Sequence, residues 1–155
     1  MADRTKLTQF IAERTGRFPD SQSVVLEALH FANSADGIIT KESVEIIAAA
    51  LNMTPIRVWG VATFYTMYNK KPVGKYLVQV CTNIACSLRG GYSVLTNLEE
   101  TLGIRVGETT KDGRFTLIEV ECLGACGNAP VMQINDNYYE NCTKEKVDAV
   151  IKALA

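Results

Sequence analysis

Four of the five cysteines in this 155-residue sequence stand as two pairs. Cys81 and Cys86 enclose four residues, Cys122 and Cys126 enclose three, and thirty-five residues separate the pairs. Four thiolates suffice to hold a two-iron, two-sulfide cluster, with each pair pinching one iron. The surrounding segments, Cys81-Thr-Asn-Ile-Ala-Cys86-Ser-Leu-Arg-Gly-Gly91 and Cys122-Leu-Gly-Ala-Cys126-Gly-Asn-Ala-Pro130, are rich in glycine and small side chains. Backbone N–H groups there can approach anionic sulfur, and such hydrogen bonds help set a reduction potential. The donors are expected between Thr82 and Ala85 and between Leu123 and Ala125. Other chemistries compete for the same residues. Structural zinc also takes four thiolates, but its pairs enclose two to four residues, which leaves the Cys81–Cys86 step at the wide end. A thiol–disulfide oxidoreductase would want Cys-x-x-Cys at a strand-to-helix junction, and neither pair has that spacing. Buried inert cysteine accounts for a lone residue better than for two close pairs. Cys142 is that lone residue: it has no partner spacing and reads as a packing or surface thiol.

Composition narrows the setting. Sixteen Lys and Arg against seventeen Asp and Glu give a formal charge of −1, so no basic excess exists to hold a nucleic acid or an anionic membrane. Hydrophobic residues at 47% and charged residues at 21% describe an ordinary folded chain long enough to bury its own core. An odd cysteine count does not close into a disulfide framework, and Met1 to Phe10 shows no export signal; both point to a reducing compartment, where clustered cysteines are metal ligands or redox catalysts. The longest apolar run, Ile46 to Leu51, is far too short to cross a bilayer, so no direct membrane insertion is expected.

The elements that would position the cysteines follow from periodicity. Val24, Ala28, Leu29 and Ala32 repeat at helical spacing after Ser23, and Val44, Ile47, Ala48 and Leu51 do so after Thr40, with Asp36-Gly37 between. Thr54-Pro55 starts a further helix running to about Met67, the threonine capping it. Asn69 to Gly74 breaks the pattern, which places a boundary between a helical domain, 1–71, and a second domain, 72–155. There Tyr76, Val78 and Val80 alternate with Leu77 and Gln79 in a strand expected to be buried largely on both faces. Val94, Leu95, Leu98 and Leu102 mark a helix closed by Gly103, and Phe115 to Val120 is the next strand, after a turn at Asp112-Gly113. Val131 to Ile134 and Tyr138 to Glu140 flank a hairpin turn at Asn135-Asp136-Asn137, whose residues tolerate positive φ. Thr143 opens a last helix with an apolar stripe of Val147, Val150, Ile151 and Leu154. A strand, a helix and a second strand of these lengths predict a parallel pair, which would bring Cys81 and Cys122 to the same sheet edge.

These segments resemble a known family, the thioredoxin-like two-iron ferredoxin subunit of respiratory complex I, NADH:quinone oxidoreductase. The likeness covers nearly the whole chain. It is carried by Val80-Cys-Thr-Asn-Ile-Ala-Cys86, by Gly107-Glu-Thr-Thr-Lys-Asp-Gly-Arg-Phe-Thr-Leu117, by Glu119-Val-Glu-Cys-Leu-Gly-Ala-Cys126 continuing into Asn128-Ala-Pro-Val-Met-Gln-Ile-Asn-Asp136, and by Val61-Ala-Thr-Phe-Tyr-Thr-Met-Tyr68. The resemblance implies an α+β or α/β chain: an N-terminal helical bundle followed by a thioredoxin-like ferredoxin domain with a mixed four-stranded sheet. It assigns one [2Fe-2S] cluster to Cys81, Cys86, Cys122 and Cys126, and nothing to Cys142. It also implies docking onto a flavoprotein subunit that carries FMN and the NADH site, among other complex I subunits. A flavin there would split the two electrons of a hydride, and this chain would exchange them singly. No nucleotide is expected on this chain, which has neither a Gly-rich dinucleotide fingerprint nor a phosphate-binding loop. The implied location is the peripheral arm of a membrane-bound complex, facing the cytoplasm, or the mitochondrial matrix for a processed eukaryotic chain. Related subunits serve NAD-linked formate dehydrogenases and electron-bifurcating hydrogenases, which are the alternative reading.

Three further features have two readings each, and a fourth has one. His30, the only histidine, sits on a helical pattern and reads as a packed or surface residue before a ligand. Trp59, Phe64, Tyr65 and Tyr68 would either face a partner or pack the helical core. Arg89 would either screen an anionic cluster or lie solvated. Pro130 stands where thioredoxin-like folds often hold a cis proline, so a cis Ala129–Pro130 bond is expected.

Overall fold

The computed structural model describes residues 4–155 and divides into two compact units, Met1–Pro72 and Val73–Ala155. The first is helical: α1 (Arg4–Thr15), a 3₁₀ turn (Ser21–Val24), α2 (Val25–Asp36), α3 (Lys41–Ala50) and α4 (Pro55–Phe64). Local chemistry sets the ends. Gly37 closes α2 at φ 72°, its N–H donating to the Asn33 carbonyl. At the start of α3 the Ser43 N–H donates to Thr40 Oγ1 and the Thr40 N–H donates to Ser43 Oγ, each at 3.0 Å. This reciprocal pair satisfies two donors that a helix start otherwise leaves open. Leu7, Ile11, Leu29, Ile47, Leu51 and Val58 form the core, each worth about 1.5–3 kcal/mol of burial.

Helix α4 departs from expectation at both ends. Thr54 occupies the cap position without a side-chain hydrogen bond, so the start rests on Pro55 in the first turn. The helix stops at Phe64, not near Met67, because Tyr65 turns extended at φ −87°, ψ 113°. That turn lets Tyr68 enter the core at 1% exposure, its hydroxyl donating to the Leu26 carbonyl at 2.9 Å. The next residue is anchored as well, the Asn69 N–H donating to Asn33 Oδ1 at 2.8 Å.

The second unit runs β1 (Tyr76–Cys81), α5 (Ile84–Leu88), α6 (Gly91–Leu102), β2 (Phe115–Val120), a 3₁₀ turn (Cys126–Asn128), β3 (Met132–Ile134), β4 (Asn137–Tyr139) and α7 (Lys144–Leu154). Its sheet is mixed, in the order β2-β1-β3-β4. Strands β1 and β2 are parallel, in register from Tyr76 opposite Phe115 to Cys81 opposite Val120, while β3 and β4 add antiparallel partners. Val78, Val80, Leu98, Leu117, Met132 and Val147 share one buried cluster. Since α6 and α7 join that cluster on one pleat of β1, Leu77 and Gln79 on the other pleat are only half-buried, contrary to the expected two-sided burial. The hairpin closes on Ile134 opposite Asn137, so its turn is Asn135-Asp136, and of the three expected residues only Asn135 takes positive φ, at 52°. Asn135 also pins the turn to the strand beside it, accepting from the Leu77 N–H at 2.9 Å and donating to the Lys75 carbonyl at 3.0 Å.

Candidate redox-metal site at the sheet edge

Parallel pairing brings the ends of β1 and β2 together, and both cysteine pairs gather at that edge. Cys81 is the last residue of β1, its N–H donating to the Val131 carbonyl at 3.1 Å. Its Sγ contacts the Glu121 carbonyl at 3.9 Å, directly before Cys122. Cys86 lies within α5, a five-residue helix that starts where Asn83 Oδ1 accepts the Ile84 N–H at 2.7 Å. Cys122 and Cys126 occupy the loop after β2, with Cys126 opening the 3₁₀ turn. Cys81 and Cys86 are buried with Ala129 and Val131, while Cys122 and Cys126 are exposed.

Electrostatics links three of the four. Burial pushes the Cys86 thiol up to about 11, a hydrogen bond with the Cys81 thiol and the charges of Cys81 and Cys126 add to this, and a backbone hydrogen bond at Val131 works against it. Burial thus favours the protonated thiol at Cys86, so a metal bound there would release a proton. Cys122 is held differently: its Sγ accepts the Gly124 N–H at 3.3 Å, with Gly124 at φ 74°.

This donor set fits a two-iron cluster. The candidate ligands are four cysteines, and the Gly124 N–H already points at the Cys122 sulfur. Gly91 provides the close approach: a Cβ there would lie 2.8 Å from the Cys81 carbonyl oxygen and 2.9 Å from that of Cys86. Among the described residues, no three His, Cys, Asp or Glu side chains converge on a single metal ion.

The expected donors hold in part. Gly124 lies in the expected segment, but the Thr82 N–H is committed to the Val120 carbonyl and the Ile84 N–H to Asn83. Val131, outside both segments, contributes instead. Cys142 packs in the core of the sheet unit, its Sγ donating to the Tyr139 carbonyl at 3.0 Å, and burial raises its thiol above the ordinary value. Arg89 is exposed, and its backbone N–H closes α5 onto the Ala85 and Cys86 carbonyls at 3.1 Å. His30 is exposed on α2. The aromatic set divides: Tyr68 is core, while Phe64 at 77% exposure, Trp59 and Tyr65 face outward. The Ala129–Pro130 bond is cis. A cavity of about 940 Å³ between Leu102, Ile104, Phe115 and Ile151 includes none of the cysteines.

The chain is 49% identical over 134 residues to an NADH-quinone oxidoreductase subunit from Rickettsia bellii, covering 86% of this chain and 80% of the relative. It is 43% identical over 143 residues to an NADH-quinone oxidoreductase subunit from Rhizobium meliloti, covering 92% and 85%. Its fold matches a solved NAD+-reducing [NiFe]-hydrogenase with a TM-score of 0.74 at 22% identity, over 84% of this chain and 22% of that one. The family model for thioredoxin-like [2Fe-2S] ferredoxins matches residues 11–155, and the chain belongs to that family.

Proposed function

We propose that this chain is the electron-transfer subunit of an NADH:quinone oxidoreductase, holding one [2Fe-2S] cluster on Cys81, Cys86, Cys122 and Cys126. The observation that carries the reading is the convergence of both cysteine pairs at the shared end of parallel β1 and β2. When bound, the cluster supplies a site for one electron. The chain's residues do the rest. Cys81 and Cys86 form the buried side of the site, while Cys122 and Cys126 form its open side. Backbone donors at Gly124 and Val131 compensate the negative charge that four thiolates bring to a partly buried place. FMN and NADH belong on a flavoprotein partner, with which single electrons are exchanged, and the complex's peripheral arm is the location. Among the described residues no single helix is long and apolar enough to cross a membrane, so membrane attachment would fall to other subunits.

The names of the relatives at 43–49% identity favour this assembly. The hydrogenase likeness, at 22%, speaks to fold alone. Affinity purification from the native host, followed by identification of the co-purifying subunits, tests the choice. Recovery of an FMN flavoprotein together with a quinone-linked membrane arm is expected; a hydrogenase or formate-oxidising subunit in its place would overturn it.

A further inference from the structure

The loop carrying Cys122 and Cys126 is gripped by the hairpin that follows it. The Tyr138 hydroxyl, on β4, donates to the Leu123 carbonyl at 3.0 Å. Farther along, Asn128 Nδ2 donates to Glu140 Oε2 at 2.8 Å, and the Asn141 N–H donates to the Asn128 carbonyl at 2.7 Å. The first contact differs from the others in what it orients. The Leu123 carbonyl and the Gly124 N–H belong to one planar trans peptide, so they point in opposite directions. Holding the oxygen toward Tyr138 turns the N–H toward Cys122 Sγ, which accepts it at 3.3 Å. Gly124 at φ 74° gives the chain the freedom to take this orientation.

Resting on the reading that Cys122 is a cluster ligand, we propose that Tyr138 is a positioning residue that aims the Gly124 amide at the Cys122 sulfur and thereby raises the reduction potential of the centre. An N–H donor to sulfur stabilises the more negative, reduced state over the oxidised one. Tyr138 touches neither sulfur nor metal in this role, and acts through one peptide plane. Its side chain is half exposed, so replacement by phenylalanine removes a hydroxyl without emptying the core.

The test is an anaerobic redox titration of the purified full-length protein, followed by paramagnetic resonance, for the wild type, Tyr138→Phe and Asn128→Ala. Only molecules that carry a cluster give a signal, so reduced loading in a variant does not distort its midpoint. Tyr138→Phe is expected to lower the equilibrium constant for one-electron reduction about threefold to tenfold, a fall of about 30–60 mV at 59 mV per tenfold. Asn128→Ala loosens the other end of the loop and should leave the midpoint unchanged. In protein labelled with [15N]glycine, the nitrogen coupling to the reduced centre should weaken in Tyr138→Phe. An unshifted midpoint in Tyr138→Phe, or equal shifts in both variants, would overturn the assignment. Absence of any cluster signal in the wild type would instead defeat the underlying functional reading.

Discussion

Cys81, Cys86, Cys122 and Cys126 lie at or just beyond the shared end of β1 and β2, while Cys142 packs in the sheet core, and we propose that only the first four are ligands. Replacing Cys142 by alanine removes a thiol from a packed core, with an expected loss of about 1 kcal/mol in unfolding free energy and no loss of iron. Replacing any one of Cys81, Cys86, Cys122 or Cys126 by serine should sharply lower iron per chain, measured on protein purified anaerobically. Iron retained by all four serine variants, or lost from Cys142→Ala, would contradict the division. Glycines show the same dependence on place. Gly91→Ala would press a methyl against the backbone carbonyls of Cys81 and Cys86, at a cost of about 1–3 kcal/mol and reduced cluster loading. Gly127→Ala, with open space around its position, should leave both stability and loading intact. The four candidate ligand cysteines are legible because their type and spacing are local. The demand on Gly91 is not, since it arises only when α6 starts against the end of β1.

At the scale of elements, helix α6 is tied to α7 by a polar contact. Asn97 Nδ2 donates to Asp148 Oδ1 at 2.8 Å, and Lys144 Nζ donates to Asp148 Oδ2 at 3.0 Å. These donors, Asn97 first, hold the Asp148 carboxyl below the usual carboxylate range. The folded state therefore binds this proton less tightly than the unfolded state. The resulting stabilisation is present above the ordinary carboxylate value and is lost as pH falls through the lowered folded value. Asp148→Asn should accordingly lower the melting temperature at pH 7, with the gap to the wild type closing toward pH 3. A gap that stays constant over that range would contradict the linkage.

The extent to which elements could be read from sequence follows their length. Strand β2 and the Gly103 stop of α6 were legible because period and punctuation agree there. Helix α5 was not, because five residues carry no apolar repeat; Asn83 before Ile84-Ala85-Cys86 was its one local sign. The end of α4 was hidden for another reason. Tyr65 to Tyr68 continues an apolar helical pattern, and only the Tyr68 hydroxyl's contact with Leu26 reveals the turn inward.

At the scale of the whole molecule, we propose that the helical segment 1–71 and the sheet-bearing segment 72–155 are separate folding domains. Each unit has its own buried cluster, and the helical set around Leu29 and Ile47 contains no residue of the sheet. A chain beginning at Pro72 should therefore unfold cooperatively and retain the far-ultraviolet signature of a mixed α/β fold; a non-cooperative transition would contradict separate folding. On the proposed function, the sheet unit places two cysteine pairs at one sheet edge to hold a centre for one electron. Iron, zinc and acid-labile sulfide measured per chain in anaerobically purified full-length protein test it most directly. Two irons and two sulfides per chain, with a paramagnetic signal on reduction, are the expected result. One zinc per chain with no sulfide would contradict it.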